Sequence, residues 1–164
     1  MFEHFTESAR RSVFWARLEA GRLGSEAIEP EQLLLGFLME DQGDSEQQIT
    51  REQGDEPVRS IPILARDGPP FFSAELAAKL RQALADAAHP GKPKPDAVDM
   101  PVSEPCQRAL IAAAEQHTEG SKTRLLHILW ALTSDHETSV GNRLKAHGVT
   151  VAQVEHALRS QGNS

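Results

Sequence analysis

The sequence predicts an all-α protein, built as two pseudo-symmetric four-helix repeats forming one compact eight-helix domain. Three observations carry that prediction. Nine of the ten prolines lie between Pro57 and Pro105, so the segments on either side are almost free of helix breakers. Apolar residues recur at helical spacing in both segments. The pattern that opens the first segment also returns in the second, 97 residues later.

The opening helix is signalled by Phe5, Ala9, Val13, Ala16 and Ala20, with Thr6 placed as N-cap and Glu7 favourable in the first turn. Its counterpart has Val102, Cys106, Leu110, Ala113 and His117 behind Ser103 and Glu104. Identities between these two helices are few: Glu7/Glu104, Arg11/Arg108 and Ala16/Ala113. The next helices align with an offset of 95, which sets Gln32 to Phe37 of "EPEQLLLGFL" against His127 to Leu132 of "LLHILWAL". A helix apolar nearly all round must be enclosed by others, and the small Gly36 and Ala131 allow a neighbour to approach closely.

The second unit continues with "SVGNRLKAHG", a short helix stopped at Gly148 in a left-handed cap. It ends with "TVAQVEHALRS", where Thr150 and Gln153 have capping-box spacing. The first unit is longer, since Leu38 to Ser73 spans 35 residues where Thr133 to Thr150 spans 17. This places an insertion near 42–72, in which "VRSIPIL" has β-branched character and "RDGPPFF" is turn-like. Residues 73–88 read as the last helix of that unit, with Leu76, Leu80, Leu84 and Ala87 on one face. The expected organisation is thus a single domain over 1–164: repeat one at 1–90, an extended proline-rich linker at 89–101, and repeat two at 102–161.

Seventeen basic against twenty-four acidic residues give a net charge of −7, and no Lys/Arg run exceeds the pair Arg10 and Arg11. Nucleic-acid binding is disfavoured, because neutralising phosphates supplies much of that affinity. No apolar run approaches the roughly 18 residues of a membrane span, and charges stand where a signal peptide has its apolar core. The expectation is an unexported, cytoplasmic chain with no membrane partner. The single Cys106 cannot form an internal disulfide and reads as a small buried residue.

No residue pattern points to catalysis, a cofactor or a metal. Ser8, Ser12 and Cys106 lack a flanking nucleophile motif, and the histidines, including His147 and His156, have no ligand spacing. His127 reads as a core histidine bonded to a neighbouring carbonyl. The aromatic residues are the better functional lead. Phe14 and Trp15 lie off the apolar stripe of their helix, and Phe71 and Phe72 follow two prolines in the insertion. All four are candidate anchors for a protein partner, with core packing as the competing role.

The stretches "MFEHFTESARRSVFWARLEAGRLGSEAIEPEQLLLGFL", "VDMPVSEPCQRALIAAAEQ", "LLHILWAL" and "LKAHGVTVAQVEHAL" together resemble the N-terminal substrate-receiving domain of the Clp chaperone ATPases. That family opens with a similar Met-Phe-x-x-Phe-Thr-Glu and carries a Thr-Glu-His-Leu-Leu-Leu-Gly block. The resemblance covers most of the chain outside roughly residues 42–72, and it too implies two four-helix repeats. It implies a non-catalytic module that binds an unfolded client, an adaptor or a Clp ATPase, or an accessory that regulates a Clp protease by competing for substrates or adaptors. The oligomeric state stays open. No GxxxxGK[ST] phosphate loop occurs in the 164 residues, so the chain reads as a free-standing N-domain protein.

In ClpC-type relatives the Glu of Thr-Glu-His, once per repeat, is implicated in holding the guanidinium of phosphorylated arginine. Here Glu31 matches that position in the first repeat, between Pro30 and Gln32, whereas the second repeat has Leu126. A carboxylate grips a guanidinium with paired charge-assisted bonds, and leucine cannot. Glu31 is therefore the one candidate binding carboxylate, and it is also an ordinary first-turn acid behind a helix-starting proline.

Overall fold

The computed structural model describes residues 2–43, 67–94, 100–116 and 120–162. Their regular structure is helical. After a short 3-10 turn at Phe2–His4 come α1 (Glu7–Arg22), α2 (Pro30–Gln42), α3 (Ala74–Ala87), α4 (Glu104–Glu115), α5 (Leu125–Ser134), α6 (Ser139–Ala146) and α7 (Val151–Gly162). The all-α expectation holds, with seven α-helices rather than eight among the described residues. The β-branched stretch "VRSIPIL", His117 and part of the proline-rich linker lie outside the described residues.

Local chemistry starts each helix where the sequence places it. The hydroxyls of Thr6, Ser73, Ser103 and Thr138 accept the amides of Ala9, Leu76, Cys106 and Gly141 at 3.1–3.3 Å. Thr150 and Gln153 form the reciprocal capping box, each amide donating to the other's side-chain oxygen at 3.2 Å. Gly148 ends α6 with φ +81°, a conformation glycine adopts without a Cβ clash.

The two repeats are related by a pseudo-dyad, visible in backbone bonds that exchange between them. Phe5 makes an isolated parallel bridge with Thr123, and Ile28 makes one with Val102. The offset of 97 carries Phe5 onto Val102, and the offset of 95 carries Ile28 onto Thr123, so each bridge is the image of the other. Their hydrogen bonds match as well. Thr6 N–H donates to Thr123 O at 2.9 Å and Thr123 N–H to His4 O at 2.7 Å; the images are Ser103 N–H to Ile28 O at 3.0 Å and Ile28 N–H to Pro101 O at 2.9 Å. Each repeat thus pins the other's chain just before its first helix.

The leucine-rich helices are central, as their composition requires. Leu33, Leu34, Phe37 and Leu38 of α2 and Ile128, Leu129 and Leu132 of α5 are almost wholly withdrawn from solvent. α2 touches α1, α3, α4, α5 and α6, while α5 touches α1, α2, α4, α6 and α7. Burying one such leucine is worth roughly 2 kcal/mol, so this pair of helices dominates the stabilising side of folding.

The crossing of α1 over α2 is closer than any side chain at Gly36 permits. A Cβ built there would lie 2.0 Å from Ser12 O and 2.9 Å from Ala16 N. Backbone is the obstacle, so no rotamer change relieves it. Gly36→Ala should cost about 3 kcal/mol, the upper part of the overpacking range, read as a lowered urea midpoint with an unchanged m-value.

One ion pair repeats across the dyad in two different settings. Arg11 grips Glu40 through both carboxylate oxygens, at 2.7 and 3.1 Å, and Ser8 Oγ donates to the same carboxylate at 2.9 Å. Glu40 is only 2% exposed. The images of these residues, Arg108 and Asp135, pair at 3.3 Å with Arg108 46% exposed. Removing one partner strands a buried charge only in the first repeat. Arg11→Met should therefore cost about 3 kcal/mol and Arg108→Met under about 1 kcal/mol in chemical denaturation.

Candidate functional site

Two cavities lie at the seam between repeats. In the first, the start of α2, the end of α3 and the start of α6 enclose a groove of ≈ 340 Å³ lined by Leu23, Glu29, Glu31, Leu84, His89, Ser139 and Arg143, among others. Glu31 stands on its wall and accepts the Ser139 hydroxyl at 2.6 Å, joining α2 of repeat one to α6 of repeat two. Behind it, Gln32 is buried and its Oε1 accepts the Glu29 amide at 2.8 Å, fixing the first turn of α2. Arg143 donates to Ala83 O at 3.4 Å, and its Nε has no hydrogen-bond partner among the described residues. The groove is thus part apolar, with two carboxylates facing one guanidinium.

Cys106 lies beneath this region, fully buried. Burial first, and then the charges of Glu29 and Glu31, push its thiol up to about 12. It stays protonated at physiological pH and is no nucleophile.

A second, smaller cavity opens at the start of α5 and the end of α7; its Leu126 and Gln161 are the images of Glu31 and Leu84, whereas its Ser8, Glu40 and Asp41 have images that do not line the first groove. Leu125 and Leu126 replace Pro30 and Glu31, and Gln161 stands where Leu84 stands once the Ser73 cap is laid on the Thr150 cap. It measures only ≈ 20 Å³, and Glu40, Asp41, Asp67, Gly68 and Pro69 line it as well. Asp67 Oδ2 accepts the Leu125 amide at 2.7 Å and the Thr6 hydroxyl at 2.9 Å. It therefore sits at the converging N-termini of α5 and α1, where a negative charge is favoured. Burial nevertheless raises its carboxyl above the usual range, opposed by the Leu125 amide, the Thr6 hydroxyl and the charge of Arg124, with Glu40 adding to the rise.

The sequence-predicted residues separate. Glu31 lies in the open groove. Phe14 is 45% exposed, with the Arg17 guanidinium 5.9 Å from its ring centroid. Its neighbour Trp15 is 1% exposed and Phe72 4%, so both are core residues rather than surface anchors; they pack edge-to-face on Phe14 and on Phe37. Phe71 is half-buried. The amides of Phe71 and Phe72 both donate to the buried Asp41 carboxylate, at 2.6 and 3.0 Å, which ties the insertion to α2 and draws the Phe72 ring inward. His127 is buried as expected, and its Nδ1 accepts the Arg124 amide at 2.8 Å. The helix start explains it: His127 caps α5 as Gln32 caps α2.

Sequence reasoning missed Ser139, Arg143, Leu84 and His89, which reach the groove only through tertiary packing. It also missed Ile111, the image of Phe14 at an offset of 97 and likewise exposed. That register was readable and would have found it. Ile111 and the half-buried Trp130 border a shallow apolar depression of ≈ 480 Å³ on repeat two, where Trp130 Nε1–H donates to Glu155 at 3.3 Å. No cluster of three or more His, Cys, Asp or Glu that could hold a metal occurs among the described residues. Among them, no helix is long and apolar enough to cross a membrane.

Solved structures share this arrangement over nearly the whole chain. The N-terminal domain of the caseinolytic protease associated chaperone ClpD from Arabidopsis thaliana is similar with a TM-score of 0.65 and 24% identity, over 96% of this chain and 99% of that one. The chain has the Clp N-domain fold. The Hsp104 N-terminal domain from Candida albicans is similar with a TM-score of 0.62 and 18% identity, covering 94% of this chain and 88% of its own. A structure from a study of a malarial protein secretion system gives 0.65 and 16% identity, over 96% and 94%. No protein-family model matches the sequence, and no curated protein does. At these identities the likeness to Clp N-domains is one of fold.

The raised Asp67 carboxyl fixes the sign of a pH effect. A group with a higher folded than unfolded pKa contributes stability present below the unfolded value, about 3.9, and lost as pH rises through the folded one. The thermal midpoint of the wild type relative to Asp67→Asn should therefore fall as pH rises from about 4 to about 6, the two titrations being recorded side by side by circular dichroism.

Proposed function

We propose that the chain is a non-catalytic protein-binding module whose open seam groove receives an extended, partly apolar segment carrying a basic side chain. The observation behind this reading is the pairing of Glu29 and Glu31 on a groove floored by Leu23 and Leu84, at the junction of two rigid repeats. Apolar burial supplies affinity, and the two carboxylates, outnumbering the single Arg143 guanidinium, select a cation through charge-assisted hydrogen bonds. The chain's net charge of −7 steers such a guest toward it. Two of its structural neighbours are N-domains, one belonging to a protease-associated chaperone, and a receiving role for unfolded clients or adaptors suits that fold. Competition with a Clp ATPase for the same guests would follow from this binding without further machinery.

The test is fluorescence anisotropy with a labelled peptide alternating leucine and arginine. Wild type should bind it saturably at 1:1. Glu31→Gln, which keeps an acceptor for Ser139 but removes the charge, should weaken binding about tenfold, or about 1.4 kcal/mol. Unchanged affinity in the variant, or no saturation with wild type, rejects the groove as the guest site.

A further inference from the structure

The first helices of the two repeats, α1 and α4, are images of one another at an offset of 97, yet their outer faces carry opposite chemistry. On α1, Phe14 is 45% exposed and the Arg17 guanidinium lies 5.9 Å from its ring centroid. One turn earlier the exposed Arg10 donates to the Phe2 and Glu3 carbonyls at 3.0 and 3.1 Å, which ties Phe2, also exposed, to the helix. Neither guanidinium has an ion pair among the described residues, and Glu7 on the same helix is paired with Arg11 at 3.8 Å. The face is aromatic and basic.

On α4 the images of Arg10, Phe14 and Arg17 are Gln107, Ile111 and Ala114, and the image of Leu18 is the exposed Glu115. Beside Ile111 lies the depression of ≈ 480 Å³ between α4 and α5, lined by Ala112, Trp130 and Ala131 among others. Repeat one has Trp15 and Gly36 at the positions of Ala112 and Ala131; there α1 closes on the glycine, and the indole of Trp15 is 1% exposed. With alanine at both positions, repeat two keeps a depression where repeat one has an indole. Its charge is negative. Glu115 has no ion pair among the described residues, Arg108 alone stands between Asp135 at 3.3 Å and Glu137 at 3.7 Å, and Glu155 accepts the Trp130 Nε1–H. Four carboxylates thus surround one guanidinium.

We propose that this depression receives the Phe14 face of a second copy of the chain. The two faces are complementary in both respects that matter. A phenyl ring meets a hollow of Ile111, Ala112 and Ala131, and the flanking Arg10 and Arg17 meet an excess of carboxylate together with the Trp130 ring, the best of the aromatic surfaces for a guanidinium. Aromatic residues and arginine are also the side chains that interface centres favour. Both halves of the pair stand on one chain, so a second copy supplies the partner. The contact joins unlike faces and is heterologous. It spares the Glu31 groove, none of whose lining residues belongs to either face, so the inference stands apart from the proposed function.

The experiment is sedimentation velocity on the full chain with two variants, Phe14→Asp and Ile111→Asp. The sedimentation coefficient of wild type should climb with concentration, and each variant alone should stay monomeric up to about 1 mM, the weak end of specific association. An equimolar mixture of the two should regain a dimer and stop there, because Phe14→Asp keeps an intact depression and Ile111→Asp an intact ring. A wild type monomeric at about 1 mM, whatever other protein it binds, overturns the proposal. So does association of either variant alone, which means that like faces meet, or a mixture that stays monomeric. Should an aspartate variant lack a helical circular-dichroism spectrum, serine replaces aspartate at that position, with the same outcomes decisive.

Discussion

Enclosure of α2 and α5 is the constraint from which the architecture follows. Both helices are apolar on nearly every side, and neither can be left against water without forfeiting roughly 2 kcal/mol per exposed leucine. One four-helix repeat covers only part of such a helix. Placing α2 and α5 together across a pseudo-dyad lets each serve as wall for the other, and the remaining helices close the outside. The reciprocal bridges at Phe5 and Ile28 are then economical, since they satisfy the backbone of both approach segments with one another.

The same constraint explains how the repeats diverged at matched positions. Arg11 with Glu40 and Arg108 with Asp135 occupy equivalent sites, but among the described residues Glu40 shares a cavity with Asp67, Gly68 and Pro69 and Asp135 does not. A buried carboxylate needs full satisfaction, and Glu40 has it from a bidentate guanidinium and a serine hydroxyl. Asp135 lies nearer solvent, taking one Arg108 N–H at 3.3 Å and the Glu137 amide at 3.0 Å. Symmetry of backbone survives here while the energetic weight of the same interaction changes.

Much of the fold was legible because its signals are local. The caps at Thr6 and Thr150, the stop at Gly148 and the paired leucine blocks are read from a few neighbouring residues, and the offsets of 97 and 95 gave the duplication. What was not legible depends on partners distant in sequence. Phe14 and Trp15 are adjacent, so a helix turns one out as it turns the other in, and only the position of α2 decides which. Asp41 draws Phe72 into the core from 31 residues away, and nothing near Phe72 announces it. Glu31 was legible as a candidate through the resemblance to the Clp N-domain family, but the serine and arginine that share its groove come from α6, over 100 residues on.

Duplication normally yields two like sites, and here it yields two unlike ones for reasons traceable to single residues. Pro30 against Leu125 decides whether the helix start offers an amide; Glu31 against Leu126 decides whether the wall carries charge; Leu84 against Gln161 decides whether the third side is greasy or polar. Each difference alone is worth about 1 kcal/mol or less in a solvated groove, but all three push in the same direction. The start of α2 thus offers charge and no amide, and the start of α5 an amide and no charge. Asp67, from the insertion in repeat one, accepts that amide in a cavity also lined by Glu40 and Asp41. The hydrogen bonds on offer, not the sign of the surrounding charge, decide where that carboxylate sits, because burial and Glu40 both raise it.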